Sequence, residues 1–151
     1  MLSDLLSVER VKVPLVSHSK DDVLRELVQL AVPAAGAETR DRIVKAVLDR
    51  EALLSTGIGS GIAIPHGRTG DVDRVMLTAG RAPVPIDFGA LDDRPVTLFF
   101  LLLGPGSAAG AHVRALGRIS RILRHESVRN DLNAATTPAA FMDLLVGAEV
   151  T

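Results

Sequence analysis

The chain has 151 residues, a one-domain length, and 47% of them are hydrophobic, enough to bury a sizeable core. A formal charge of −1, four Phe with no Trp or Tyr, and no Cys argue against a basic nucleic-acid or membrane-surface binder, a base-stacking platform, and thiol or thiolate-metal chemistry. The first residues carry Asp4 and Glu9 instead of a signal peptide's apolar stretch, and the longest apolar run, Val96 to Leu103 around Thr97, is too short to cross a bilayer.

From Glu9 to Val16, Val11, Val13 and Leu15 alternate with charged residues or proline, which predicts an edge strand. Ser19 is placed to cap a helix with acids in its first turn, and Val23, Leu24, Leu27, Val28 and Ala31 follow at helical spacing until Pro33 and Gly36 end it. Thr39 is the expected cap of a second helix, with Ile43, Val44, Val47 and Leu48 as its buried stripe, running to about Leu53. Ser55 to Pro65 is glycine-rich. Asp73 to Ala82 and Val96 to Leu103 read as strands, the second apolar enough to be covered on both faces, with Pro83, Pro85 and Pro95 punctuating the link.

Gly104 to Ser107 breaks the chain, and Ser107 is the expected cap of a helix through about His125. Val113, Leu116, Ser120 and Leu123, with Ile119 and Ile122, form its expected inward face. Thr137 and Pro138 open a last helix through Val146. Helices on either side of a block of strands predict a three-layer α/β/α sandwich, one domain over residues 1–151, in the cytoplasm.

The histidines are the main chemical candidates. His18 and His125 lie among charged neighbours and read as solvated surface groups. His66 ends the segment Gly57-Ile-Gly-Ser-Gly-Ile-Ala-Ile-Pro-His66-Gly67. Glycines there allow backbone N–H groups to face an anion, Pro65 stiffens the approach, and Gly67 leaves one side uncrowded. A ring so held can offer a nitrogen lone pair as a nucleophile; the alternative is a turn histidine beside a structural loop. The spacing fits neither a dinucleotide fingerprint nor a P-loop. His112 falls in the first turns of a helix, where N–H groups and the dipole favour phosphate, or is merely an exposed helix-start histidine. Arg50 is either a fork for phosphate oxygens or a solvated helix-terminal side chain.

Three ordered segments carry a resemblance. Arg50-Glu51-Ala-Leu-Leu-Ser55-Thr56-Gly57-Ile-Gly59-Ser-Gly61-Ile-Ala63-Ile-Pro65-His66-Gly67 resembles the active-site segment of enzyme IIA of the bacterial phosphotransferase system, fructose/mannitol type. Ala111-His112-Val-Arg-Ala-Leu116-Gly-Arg-Ile-Ser-Arg-Ile-Leu123 is similar to that family's second-histidine helix. Pro85-Ile86-Asp87-Phe88-Gly-Ala-Leu-Asp92-Asp-Arg-Pro95-Val96 resembles its nitrogen-regulatory branch. Ala111 stands where members often carry Glu or Gln, and Gly117 interrupts the helix.

The resemblance implies a phosphotransferase component that works as a carrier, with a central mixed sheet between the helical layers. His66 would accept phosphate through Nε2 from an HPr-like phosphocarrier protein, with His112 and Arg50 stabilising the phosphate. Partners downstream would be an enzyme IIB or a regulated target protein. No metal, organic cofactor, nucleic acid or membrane insertion is expected. No permease or IIB-like segment accompanies the domain, so a free-standing, regulatory role is expected. A sugar-specific IIA is the alternative. From other classes, an interaction module that does not use phosphorylation and a His66/His112 metal hydrolase stand as rivals, although no metal-binding histidine spacing supports the latter.

Overall fold

A computed structural model describes residues 1–149. Along the chain come β1 (Val11–Lys12), α1 (Lys20–Ala31), α2 (Ala37–Leu53), β2 (Gly57–Gly59), β3 (Ile62–Ala63) and β4 (His66–Arg68). The second half holds β5 (Met76–Ile86), β6 (Val96–Gly104), α3 (Ala109–Leu123), α4 (Glu126–Ala134) and α5 (Pro138–Glu149). The strands form one mixed sheet in the order β1-β5-β6-β3-β2, with β4 also pairing with β6. β1 runs parallel to β5, β5 antiparallel to β6, and β3 and β4 both run parallel to β6.

β6 organises the layers. Leu98, Phe100 and Leu102 point into a core shared with α3, α4 and α5, while Phe99, Leu101 and Leu103 point into a second core with α1 and α2. All six are fully buried, because a strand's side chains alternate between two faces and both are covered. The three-layer α/β/α sandwich with a mixed central sheet expected from the sequence is the observed fold.

Several local expectations hold. Ser19 Oγ accepts from the Asp22 N–H at 3.3 Å, and Thr137 Oγ1 from the Ala140 N–H at 3.1 Å, so both helix starts are capped as read. Others need correction. The edge strand shrinks to two residues behind a 3-10 turn at Val8–Arg10. Thr39 does not cap α2; the helix begins at Ala37 after Gly36, and Thr39 Oγ1 accepts from Arg42 Nη2 at 3.1 Å. Nor does Ser107 cap α3, because a 3-10 turn over Gly106–Ala108 intervenes and Ala108 takes the cap position.

The helix expected to run to about His125 stops at Leu123, and a short helix not foreseen, α4, follows with His125 at its cap. Val113 faces out, and Ala115 and His112 face in. β5 continues through Pro83 and Pro85, which lie where its pairing with β6 lapses between Arg81 and Ile86. Proline has no N–H to give a ladder and is tolerated in such a gap. Among the described residues, no helix is long and apolar enough to cross a membrane.

Candidate functional site

His66 is the first residue of β4, in register with Leu102 of β6. The preceding Pro65 carbonyl accepts from the Leu102 N–H at 2.9 Å, which fixes the backbone on which the ring stands. Arg68, two residues on, shares the ring's face of the strand. Gly67 points the other way, into contact with α2. A Cβ there would lie 2.8 Å from both Leu103 Cδ2 and Val47 Cγ2. The glycine is therefore required for close packing and does not leave an uncrowded side.

His112 comes from α3, on the opposite side of the sheet from α2, and is only 5% exposed. Its ring meets that of His66 edge-on, with centroids 5.5 Å apart and planes at 88°. Both rings open on a cavity of about 590 Å³, which Arg50, Asp49 and Leu53 of α2 and Arg68 of β4 also line. The structure thus brings His66, His112 and Arg50 to one cavity; His18 and His125 are not in its wall. Arg50 does not reach out free: its Nη1 donates to the Leu54 carbonyl at 2.9 Å.

The glycine loop plays a different part from the expected anion cradle. Gly57, Gly59 and Gly61 do not line the cavity; they build the β2–β3 hairpin, whose turn places Gly59, Ser60 and Gly61 at positive φ. Its Ser60 N–H is taken by Asp92 Oδ2 at 3.0 Å. Sequence reasoning missed Arg68, although period-two spacing from His66 in a strand was the available signal.

The electrostatics favour neutral rings. Burial is the largest influence holding His66 below the ordinary imidazole range, with the Arg50 and Arg68 cations adding to it; Glu51 and the Pro65 carbonyl act in the opposite sense. The Pro65 carbonyl lies near the ring but makes no hydrogen bond of ordinary geometry to Nδ1, which is buried and unpartnered. The carbonyl is already engaged by the sheet. His112 is pushed down to about 4, first by burial and then by His66 and Arg68, and its Nδ1 is likewise buried and unpartnered. With Nδ1 inside on each ring, Nε2 is the nitrogen left to the cavity. Two neutral imidazoles beside two guanidinium groups form a site where a nucleophilic nitrogen can meet an oxyanionic group. No cluster of three or more metal-ligating side chains occurs among the described residues.

This sheet and its two helical layers are the fold of an enzyme IIA. The crystal structure of the nitrogen regulatory protein IIA-Ntr from Neisseria meningitidis superposes with a TM-score of 0.88 at 28% identity, covering 95% of this chain and 98% of that one. The chain belongs to the family described as "Phosphoenolpyruvate-dependent sugar phosphotransferase system, EIIA 2", whose profile matches residues 4–147. Its sequence is 35% identical to a nitrogen regulatory protein of Bradyrhizobium diazoefficiens over 144 residues, covering 95% of this chain and 94% of that protein. It is 34% identical to a fructose-specific EIIA component of Haloferax volcanii, with the same coverage of both chains.

Proposed function

We propose that this chain is a cytoplasmic phosphoryl carrier, a single enzyme IIA domain that receives phosphate on His66 Nε2 from the phosphohistidine of an HPr-like protein. The supporting observation is the edge-on meeting of two neutral histidine rings at 5.5 Å in a cavity that also holds Arg50 and Arg68. The Nε2 lone pair attacks phosphorus while the donor's N–P bond breaks and its electron pair returns to the donor imidazole. In-line transfer of this kind asks the protein for positioning and charge compensation more than for covalent chemistry. His112 Nε2 then holds a phosphoryl oxygen, and the arginines balance the charge; no metal or organic cofactor enters this scheme.

Leu53, 82% exposed, and Val113, 61% exposed, stand on either side of the cavity mouth. Apolar groups so placed suit a protein partner better than a free sugar. The nitrogen regulatory relative favours a regulatory carrier whose phosphorylation state is read by target proteins. The fructose-specific relative supports a second reading, delivery to an enzyme IIB. Incubation with phosphoenolpyruvate and phosphorylated upstream carriers should add one phosphoryl group by mass. His66→Ala should abolish the addition and His112→Ala should slow it. Labelling that persists on His66→Ala overturns the assignment.

A further inference from the structure

Glu51 is a buried carboxylate that takes no direct part in the scheme above. It follows Arg50 on the last turn of α2 and is 6% exposed, so Arg50 lines the cavity while its neighbour turns inward. A buried carboxylate is costly unless donors surround it, and here they do. Thr56 gives Glu51 its backbone N–H at 2.9 Å and its hydroxyl at 2.6 Å. Lys20, the first residue of α1, places Nζ 3.0 Å from the same carboxylate. Lys20 is itself held by the Phe88 carbonyl at 2.9 Å and by the Phe88 ring, 4.4 Å from Nζ to centroid.

The hold passes onward along the backbone. The Thr56 carbonyl accepts from the Ile64 N–H at 3.0 Å, two residues before His66. Glu51 sets a buried negative charge against the positive Arg50 and Arg68 that bear on His66, whereas Asp49, in the cavity wall, is exposed and paired with Lys45 at 2.6 Å.

We propose that Glu51 is a positioning residue for the phosphoacceptor: it anchors the Thr56–Ile64 connection behind His66 and adds a buried negative charge to the surroundings in which the ring works. Structure alone would be served as well by a well-packed apolar side chain. The two arginines that welcome a phosphoryl group also withdraw basicity from the ring. A carboxylate outside the cavity wall restores basicity, and with it the nucleophilic strength of Nε2, without standing where the phosphate would enter. Lys20 holds that carboxylate in place from the start of α1.

The inference rests on the carrier reading of His66, and its test separates the two. Glu51→Gln and the double variant Lys20→Met with Glu51→Gln are compared with the unaltered protein. Three quantities are followed: the NMR titration midpoint of His66, the initial rate of phosphoryl uptake from the phosphorylated HPr-like carrier, and the urea midpoint. Glu51→Gln should lower the His66 midpoint and slow uptake about tenfold. The double variant, free of the stranded ammonium, should regain stability yet keep the lowered midpoint and slow uptake, and it serves also if the single variant folds poorly. A His66 midpoint and uptake rate unchanged in Glu51→Gln, or both restored together with stability in the double variant, overturns the inference. Absence of uptake by the unaltered protein overturns the carrier reading instead, and the titration arm then decides whether Glu51 sets the ring's field.

Discussion

Replacing Gly67 by alanine adds one methyl group at the closest approach of α2 to the sheet. That carbon would lie 2.8 Å from Leu103 Cδ2 and 2.8 Å from Val47 Cγ2, and both neighbours are buried, at 0% and 1% exposure. Neither side chain can swing into solvent. Strand β4 cannot retreat either, because its register ties His66 to Leu102 and Arg68 to Gly104. Overpacking of this kind costs about 1–3 kcal/mol. Gly67 lies outside the left-handed region, so alanine also restricts the unfolded chain, a gain of about 0.4–1 kcal/mol. The expected net loss is roughly 1–2 kcal/mol, read as a lower urea midpoint at unchanged slope. Trimming the neighbour supplies the control: Gly67→Ala with Val47→Ala should lose less than the two single losses added, since the second change vacates the contested space. A Gly67→Ala protein as stable as the parent, or a double variant whose loss is simply additive, would refute the close-packing argument.

Gly117→Ala should act in the opposite direction. It sits inside α3, its Cβ would meet no atom within 4 Å, and the gain in urea unfolding should approach ~1 kcal/mol; a loss would show that the glycine is needed for a reason its surroundings do not reveal. Acid should weaken the fold through the two site histidines. Their pKa values are lowered on folding, so the unfolded chain binds protons first. Stability is full above about pH 6.5 and falls as pH drops toward the His112 value of about 4, by on the order of 3 kcal/mol at most for that ring. Urea midpoints at pH 7.5 and 5.5 should differ less in His112→Gln than in the parent, and equal differences would count against this. Arg68→Gln should raise the titration midpoints of both rings by removing a cation that opposes their protonation, and should slow phosphoryl uptake; unchanged midpoints by NMR would place Arg68 outside the site's field.

Much of this was legible in the residues. Ser19 and Thr137 announced helix starts because a cap is a local hydrogen bond, and β6 was visible because a strand covered on both faces needs an unbroken apolar run. The errors fall where tertiary context decides. α4 carries a single buried residue, Leu132, so its sequence has almost no apolar stripe to read. Pro83 and Pro85 suggested a linker, but a strand may carry prolines where its partner has stepped out of pairing. His66, His112 and Arg50, which the motifs single out, line one cavity. Gly67 reads as open space in the sequence because the side chains that crowd it, Val47 and Leu103, lie 20 and 36 positions away.

The register of β4 on β6 explains how the three layers converge on one cavity. In a parallel pair, residues in register point to the same face, so His66 follows Leu102 toward the α3 layer and Gly67 follows Leu103 toward α2. His66 is thereby turned to the side from which His112 arrives. Gly67, with no side chain, lets α2 settle against the strand, and the end of that helix carries Arg50 to the cavity rim. A slip of one residue would exchange the two faces: the imidazole would be driven into the packed α2 interface and lose the second histidine. The site therefore depends on the same two-residue alternation that divides the core, and a substitution that loosens either layer should disturb the chemistry before it unfolds the chain.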